Sequence, residues 1–204
     1  DGITFVLRTI IDADTIEATS IALGDINADG SVDFVVGVRG AENRLYLNDG
    51  SGAFTESAFG TAHNTTAVAL GNLDGDSALE LVVGIDQGNV LLQQFSGSTF
   101  AAETVIDGGT FATTSLALGD IDGDGKLDLV VGNRDQANRL YLNNGSGGFA
   151  PGRGLTSDTR PTVAVALADI DGNAGLDFIA GNDLQPGRLY AWETVEGVSG
   201  YRFG

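Results

Sequence analysis

"GDIDGDGKLDLVVG", residues 119–132, places Asp120, Asp122, Asp124 and Asp128 within nine positions and follows them with a short apolar run. Carboxylates this close repel one another, by about 1 kcal/mol per pair at 4 Å even in water. A hard cation resolves the conflict. Ca2+ takes about six to eight oxygens from carboxylates, amides, backbone carbonyls and water. On that reading Asp120, Asp122, Asp124 and Asp128 are ligands at positions 1, 3, 5 and 9. Lys126, at position 7, offers its backbone carbonyl and turns its ammonium to solvent. Gly123 and Gly125 permit the sharp turn.

The stretch recurs as "GDINADGSVDFVVG" from Gly24, "GNLDGDSALELVVG" from Gly71 and "ADIDGNAGLDFIAG" from Ala168. The first ligand positions, Asp25, Asn72, Asp120 and Asp169, are 47, 48 and 49 residues apart. The first loop offers Asp25, Asn27, Asp29 and Asp33 with the carbonyl of Ser31; the second offers Asn72, Asp74, Asp76 and Glu80 with that of Ala78. The fourth offers Asp169, Asp171, Asn173 and Asp177 with that of Gly175. Every side-chain position carries oxygen, so about four Ca2+ per chain are expected, in a structural role. By charge, the third loop should bind most tightly. The second should bind least tightly, because Glu80 is longer than Asp and Ser77 replaces the glycine at position 6. Asx-rich surface turns are the competing explanation of one such loop. Four at one period weigh against that explanation. An EF-hand needs Glu at position 12 and flanking helices; position 12 here is Val36, Val83, Val131 or Ala180, each inside a strand-like run. Magnesium rarely uses an all-protein cage. Zinc favours His or Cys, and the chain has one His and no Cys.

An alternating stretch such as "TSIALGD" or "TAVALGN" precedes each loop, and a third apolar run such as "NRLYLNDG", "NVLLQQF" or "GRLYAWE" follows it. Then comes a Gly-rich turn with an aromatic residue, as in "GSGAF" and "GSGGF". Period-2 alternation, short runs and Gly/Asn/Asp punctuation predict four strands per unit and no helix. A tandem unit of just under fifty residues is the pattern of propeller blades. The expected fold is therefore an all-β propeller, one domain over residues 1–204, with four four-stranded blades and the acidic loop between strands 1 and 2 of each. The N-terminal "DGITFVLRTI" matches the segment that ends a repeat. It is expected to close the last blade by pairing beside "RLYAW", removing an open sheet edge. A ring of four blades, a homodimer completing an eight-bladed ring, and a piece of a larger propeller all satisfy this logic.

The pattern D-x-D-G-D-G-x-x-D, then L-V-V-G, N-R-L-Y-L-N and a Gly-rich turn with Phe, resembles the FG-GAP/VCBS repeat. That repeat builds integrin α-subunit head propellers and many secreted bacterial and fungal proteins, some of them lectins. The resemblance covers essentially the whole chain. It implies blades whose strand 1–strand 2 loop binds Ca2+ structurally. Such propellers commonly have seven blades, whereas four units occur here.

The net charge of −18 argues against nucleic acid and anionic membranes as partners. No apolar run reaches the length of a membrane span, and there is no signal-like segment at the N-terminus. With no Met, Asp1 reads as a processed terminus or the start of a fragment. Loops of this kind suit millimolar extracellular calcium, so a secreted protein is expected. No nucleophile motif accompanies His63, which reads as exposed and uninvolved. Trp192, sharing a strand face with Arg188 and Tyr190, is either a stacking surface for a sugar or partner, or packing at the closing blade. Arg44 and Arg139 are candidates for ligand contact between blades or for pairing with loop carboxylates. The functional expectation is a calcium-dependent recognition or adhesion module for carbohydrate or extracellular protein. A purely structural repeat domain of a larger extracellular protein comes second. A propeller enzyme comes last, because no paired acid and base stands apart from the proposed metal ligands.

Overall fold

The structure, a computed structural model, describes residues 15–88, 90–155, 157, 159–195 and 198–201. Every described element is a β-strand, and every pairing is antiparallel. Each acidic loop is the tip of a hairpin. Ala18–Gly24 pairs with the start of Asp33–Asn48, and the end of Phe54–Gly71 pairs with Glu80–Gly88. Phe111–Gly119 pairs with Asp128–Asn133, and Thr162–Ala168 pairs with Asp177–Asn182. The register is the same four times: Gly24↔Asp33, Gly71↔Glu80, Gly119↔Asp128 and Ala168↔Asp177 close the loops. Alternation of small and apolar residues in the first strand of each hairpin sets this register, since a one-residue slip would turn every apolar side chain to the wrong face.

Third strands follow. Leu91–Gln93, Arg139–Tyr141 and Arg188–Tyr190 each pair with the second strand of their hairpin. In the first unit Asp33–Asn48 runs on without a break, and the stacked rings of Phe34 and Tyr46, 4.4 Å apart, show its two ends side by side. Outer strands are formed by residues 54–59, by Thr104–Val105 and by Arg153–Gly154. The chain thus lays down four successive hairpin-based units.

The C-terminal segment departs from expectation. The third strand of the fourth unit ends at Tyr190, and Trp192–Val195 pairs instead with Val198–Tyr201 as a separate hairpin. Trp192 therefore begins a new hairpin and does not extend "RLY". The strand expected from residues 1–10 lies outside the described residues, as does the side chain of Trp192.

The units pack face to face. Val35 and Leu45 of the first meet Leu81, Val83 and Leu91 of the second. Val82 and Leu92 meet Leu129, Val131 and Tyr141 of the third, and Val130 and Leu140 meet Phe178, Ala180 and Tyr190 of the fourth. Alternate residues of each middle strand thus serve opposite neighbours, which is why these strands read as unbroken apolar runs. Hydroxyls stitch the inner strands together. Thr19 donates to the carbonyl of Thr65 at 2.9 Å, Thr66 to that of Thr113 at 2.7 Å and Thr114 to that of Thr162 at 2.7 Å.

Candidate metal centre

Each loop is first a set of Asx turns. The position-1 carboxylate accepts two or more backbone N–H groups in three loops: Asp25 from Asp29 and Gly30, Asp120 from Gly123 and Gly125, and Asp169 from Gly172, Asn173 and Ala174. Position 3 does the same for position 5, through Asn27, Asp74, Asp122 and Asp171. Position 5 accepts the N–H of position 7: Ser31 bonds to Asp29, Ala78 to Asp76, Lys126 to Asp124 and Gly175 to Asn173. Positive φ is needed at positions 4 and 6 in the first, third and fourth loops, and two alanines, Ala28 at 58° and Ala174 at 69°, adopt it. The second loop differs. Gly75 alone has positive φ there, and the Asn72 amide turns to donate to the carbonyl of Asp76.

The ninth position is a different kind of residue. Asp33, Glu80, Asp128 and Asp177 are buried. Each accepts the backbone N–H of position 2: Ile26 at 2.9 Å, Leu73 at 2.6 Å, Ile121 at 2.9 Å and Ile170 at 2.9 Å. Burial pushes the Glu80 and Asp128 carboxyls above the ordinary range. Neighbouring loop aspartates push the same way, Asp74 and Asp76 on Glu80 and Asp122 on Asp128, while backbone donors oppose.

Three groups of carboxylates converge. Asp74, Asp76 and Glu80 bring oxygens within 4.8 Å of one another, as do Asp120, Asp122 and Asp124, and Asp169, Asp171 and Asp177. Among the described residues, loop 25–33 contributes no such acidic trio. Asn27 holds position 3 there, its amide donating to Asp29 at 2.8 Å. Asp128 is not in the third group; its two oxygens accept from the backbone N–H groups of Ile121 and Asn143. The Lys126 ammonium, expected in solvent, pairs with Asp124; this bond holds the Asp124 carboxyl below its usual range and raises the lysine. The donor set is all oxygen on tight turns, which fits a hard cation of calcium's size.

The arginines are engaged elsewhere. Arg44 pairs with Glu56 at 3.2 Å. Arg139 donates to Asp107 and to the carbonyl of Gly152, both at 2.7 Å, and its guanidinium lies 4.8 Å from the centre of the Phe111 ring. Burial pushes the Tyr141 hydroxyl up to about 12, against the opposing pull of Arg139 and with a smaller push from Asp107. Neither arginine reaches a loop carboxylate in these pairs. Arg188 lies half-buried on the third strand of its unit. His63 is not the uninvolved surface residue expected. It is half-buried and meets Glu103 at 3.1 Å, with Thr61 bonded to both, beside a cleft of about 510 Å³. Glu103 lies 40 residues away in the chain, so no local pattern announces the pair.

A family model described as FG-GAP-like repeat matches residues 25–83, 72–131 and 120–180. No curated protein matches the chain. Among solved structures, the chain is similar to a lectin of Agrocybe aegerita, described by its specific recognition of non-reducing terminal N-acetylglucosamine. The TM-score is 0.59 at 18% identity, over 89% of this chain and 50% of that one. It is also similar to the computationally designed Ika4 protein, with a TM-score of 0.60 at 13% identity over 91% and 98% of the two chains. BBS1N, crystallised with ARL6DN and soaked with lead, gives 0.58 at 11% identity over 87% and 53%. The chain spans about half the length of the lectin and BBS1N chains. At such identities the likeness concerns the fold.

Proposed function

The chain belongs to the FG-GAP-like repeat family, and from that premise we propose that it is a secreted, calcium-binding propeller module that recognises carbohydrate or an extracellular protein. The observation that carries this reading is the convergence of carboxylate oxygens within 4.8 Å in three loops that share one hairpin register. Ca2+ in those loops has a structural role. It draws the exposed aspartates onto one centre and locks the turn between the first two strands of each blade. Binding to the folded state alone then adds stability. In this reading the first loop, with its asparagine at position 3, completes its cage with amide and carbonyl oxygens, which brings the total to about four ions and four blades per chain.

Recognition is the second half of the proposal. The lectin neighbour supports a sugar as ligand by analogy of fold, which is a weaker warrant than a site. Grooves between units and the clefts beside their loops are where such a ligand would sit. The role proposed is binding without catalysis, with the His63–Glu103 pair beside its cleft read as a structural link between distant segments. A glycan array probed with the full chain, with Ca2+ and with EGTA, tests the reading. Calcium-dependent binding to a defined terminal sugar supports it. Absence of binding to any glycan, in a protein whose melting temperature responds to Ca2+, would leave the structural metal and remove the sugar. A protein ligand or a purely structural domain would then be favoured.

A further inference from the structure

The three junctions between consecutive units are built alike, and their parts reappear unmatched at the two ends of the array. At each junction a leucine enters a glycine socket of the preceding unit. A Cβ added at Gly24, Gly71 or Gly119 would stand 2.5, 2.9 or 2.7 Å from the Cδ1 of Leu79, Leu127 or Leu176. A second socket, at Gly37, Gly84 and Gly132, receives the Cγ2 of Thr65, Thr113 and Thr162 at 2.7, 2.5 and 3.1 Å from such a Cβ. Val68, Leu116 and Val165 fill the same place.

The first unit carries knobs with no socket. Ile21, Leu23 and Val32, which correspond to Val68, Leu70 and Leu79, are 59%, 69% and 55% exposed. The fourth unit carries sockets with no knob. Among the described residues, an added Cβ at Gly181 would meet only Ala164 of its own unit. Ile170 and Leu189 are 49% and 55% exposed, whereas their counterparts Ile26, Leu73, Ile121, Leu45, Leu92 and Leu140 are all at most 5%.

The two ends also match in size. Ala168 stands where the other units have glycine, and Val32 stands where they have leucine. The socket has gained one carbon and the knob has lost one. At the second socket Ala18 replaces threonine while Ile21 stands for valine or leucine. Val163 replaces the threonine whose hydroxyl crosses the other junctions, so the fourth face asks for no polar partner. Close-packed contacts do not absorb an extra methylene without strain, and paired changes of this kind are what a contact between positions 32 and 168 requires.

We infer that the open face of the fourth unit docks on the open face of the first unit of a second copy, repeating the internal junction between chains. Among the described residues, one chain does not satisfy its own two end faces in this structure. Its three junctions share the same knobs and hydroxyl bonds, which set a common step, and after three such steps the first and fourth units leave the residues above exposed. A second copy continues the step unchanged. Two copies joined at both ends make a ring of eight units with no free end. The association must overcome a charge of −18 on each copy, so added salt tightens it.

Sedimentation equilibrium of the full chain, at low and raised salt, reads the assembly. The expected result is twice the mass of one chain, falling to one in Val32→Glu, a surface change that leaves the circular dichroism unaltered. A native monomer at all concentrations, or a dimer indifferent to Val32→Glu, overturns the inference. Cross-linking gives a second reading, since the chain has no cysteine of its own. Val32→Cys and Ala168→Cys proteins, prepared separately, mixed and treated with a short bis-maleimide, should give a covalent heterodimer. If instead the doubly substituted chain cross-links only within itself at high dilution, the faces belong to closure of four units in one chain and the second copy is excluded.

Discussion

Asp128 accepts the backbone N–H of Asn143 at 2.8 Å and that of Ile121 at 2.9 Å, so one buried carboxylate ties the hairpin tip to the segment beyond the third strand. Asp33 makes the same pair of bonds with Asn48 and Ile26. Position 9 therefore has a mechanical role whether or not a cation sits above it.

Truncation at this position should be costly in the metal-free protein. Asp128→Ala leaves two donors without partners, and a buried unsatisfied group costs about 1–3 kcal/mol. We expect a loss of about 2–4 kcal/mol in EGTA by urea denaturation, on the same estimate. An Asp128→Ala protein as stable as wild type in EGTA would show that the carboxylate acts only as a metal ligand.

The exposed ligands should behave in the opposite way. Asp124 accepts the Lys126 N–H and pairs with its ammonium, both at the surface. Asp124→Ala is expected to change stability in EGTA by less than about 0.5 kcal/mol, as surface substitutions do. In calorimetric titration it should remove one Ca2+ from the stoichiometry. In the wild type, Ca2+ at 100 times its dissociation constant adds about 2.7 kcal/mol per site. A melting temperature that ignores both Ca2+ and EGTA would sink the metal proposal for every loop.

Thr65 and Thr113 are equivalent in the inner strands but not in their bonding. The Thr113 hydroxyl donates to Asn133 at 3.3 Å, whereas Ile85 takes the asparagine's place in the second unit and the Thr65 hydroxyl is buried without a partner. Thr65→Val keeps the methyl that fills the Gly37 socket and removes the orphan. It should be neutral or stabilising by up to about 1 kcal/mol, while Thr113→Val should cost about 1 kcal/mol. Parallel urea titrations compare the two.

Glu103 links a unit boundary to acid stability. Burial would raise its carboxyl, but bonds from Thr61 and His63 outweigh burial and hold it below its ordinary value of 4.5. A carboxylate depressed in the folded state contributes stability above pH 4.5 that fades as pH falls through its folded value. Wild type should therefore out-melt Glu103→Gln at pH 6, and the gap should narrow steadily below pH 4.5. A gap that is constant from pH 6 to about pH 3 would mean that packing, not charge, accounts for the difference.

The four loops were legible because their information is local and repeated. An Asx turn is closed within five residues, and each loop is announced by its own oxygen pattern and by the strand that follows. Hairpin register followed from the same alternation. What lay beyond the sequence was distant or relational. His63 and Glu103 are 40 residues apart, and Arg139 and Asp107 are 32 apart, with no motif joining either pair. Equivalent loop positions also divided their work in ways that a pattern of oxygens does not reveal. Asp128, Glu80 and Asp177 all accept a backbone N–H of their own loop, yet only Glu80 and Asp177 also converge with their acidic neighbours.

Sequence alone, then, determined an all-β chain of tandem acidic hairpins, because alternation and turn chemistry act over a few residues. Tertiary structure decided which carboxylates converge, which arginines and which histidine are engaged, and which apolar side chains have a neighbour to enter. Burial and close packing are properties of the assembled units, so Val32 and Ala168 acquire their meaning only when the junctions between units are seen.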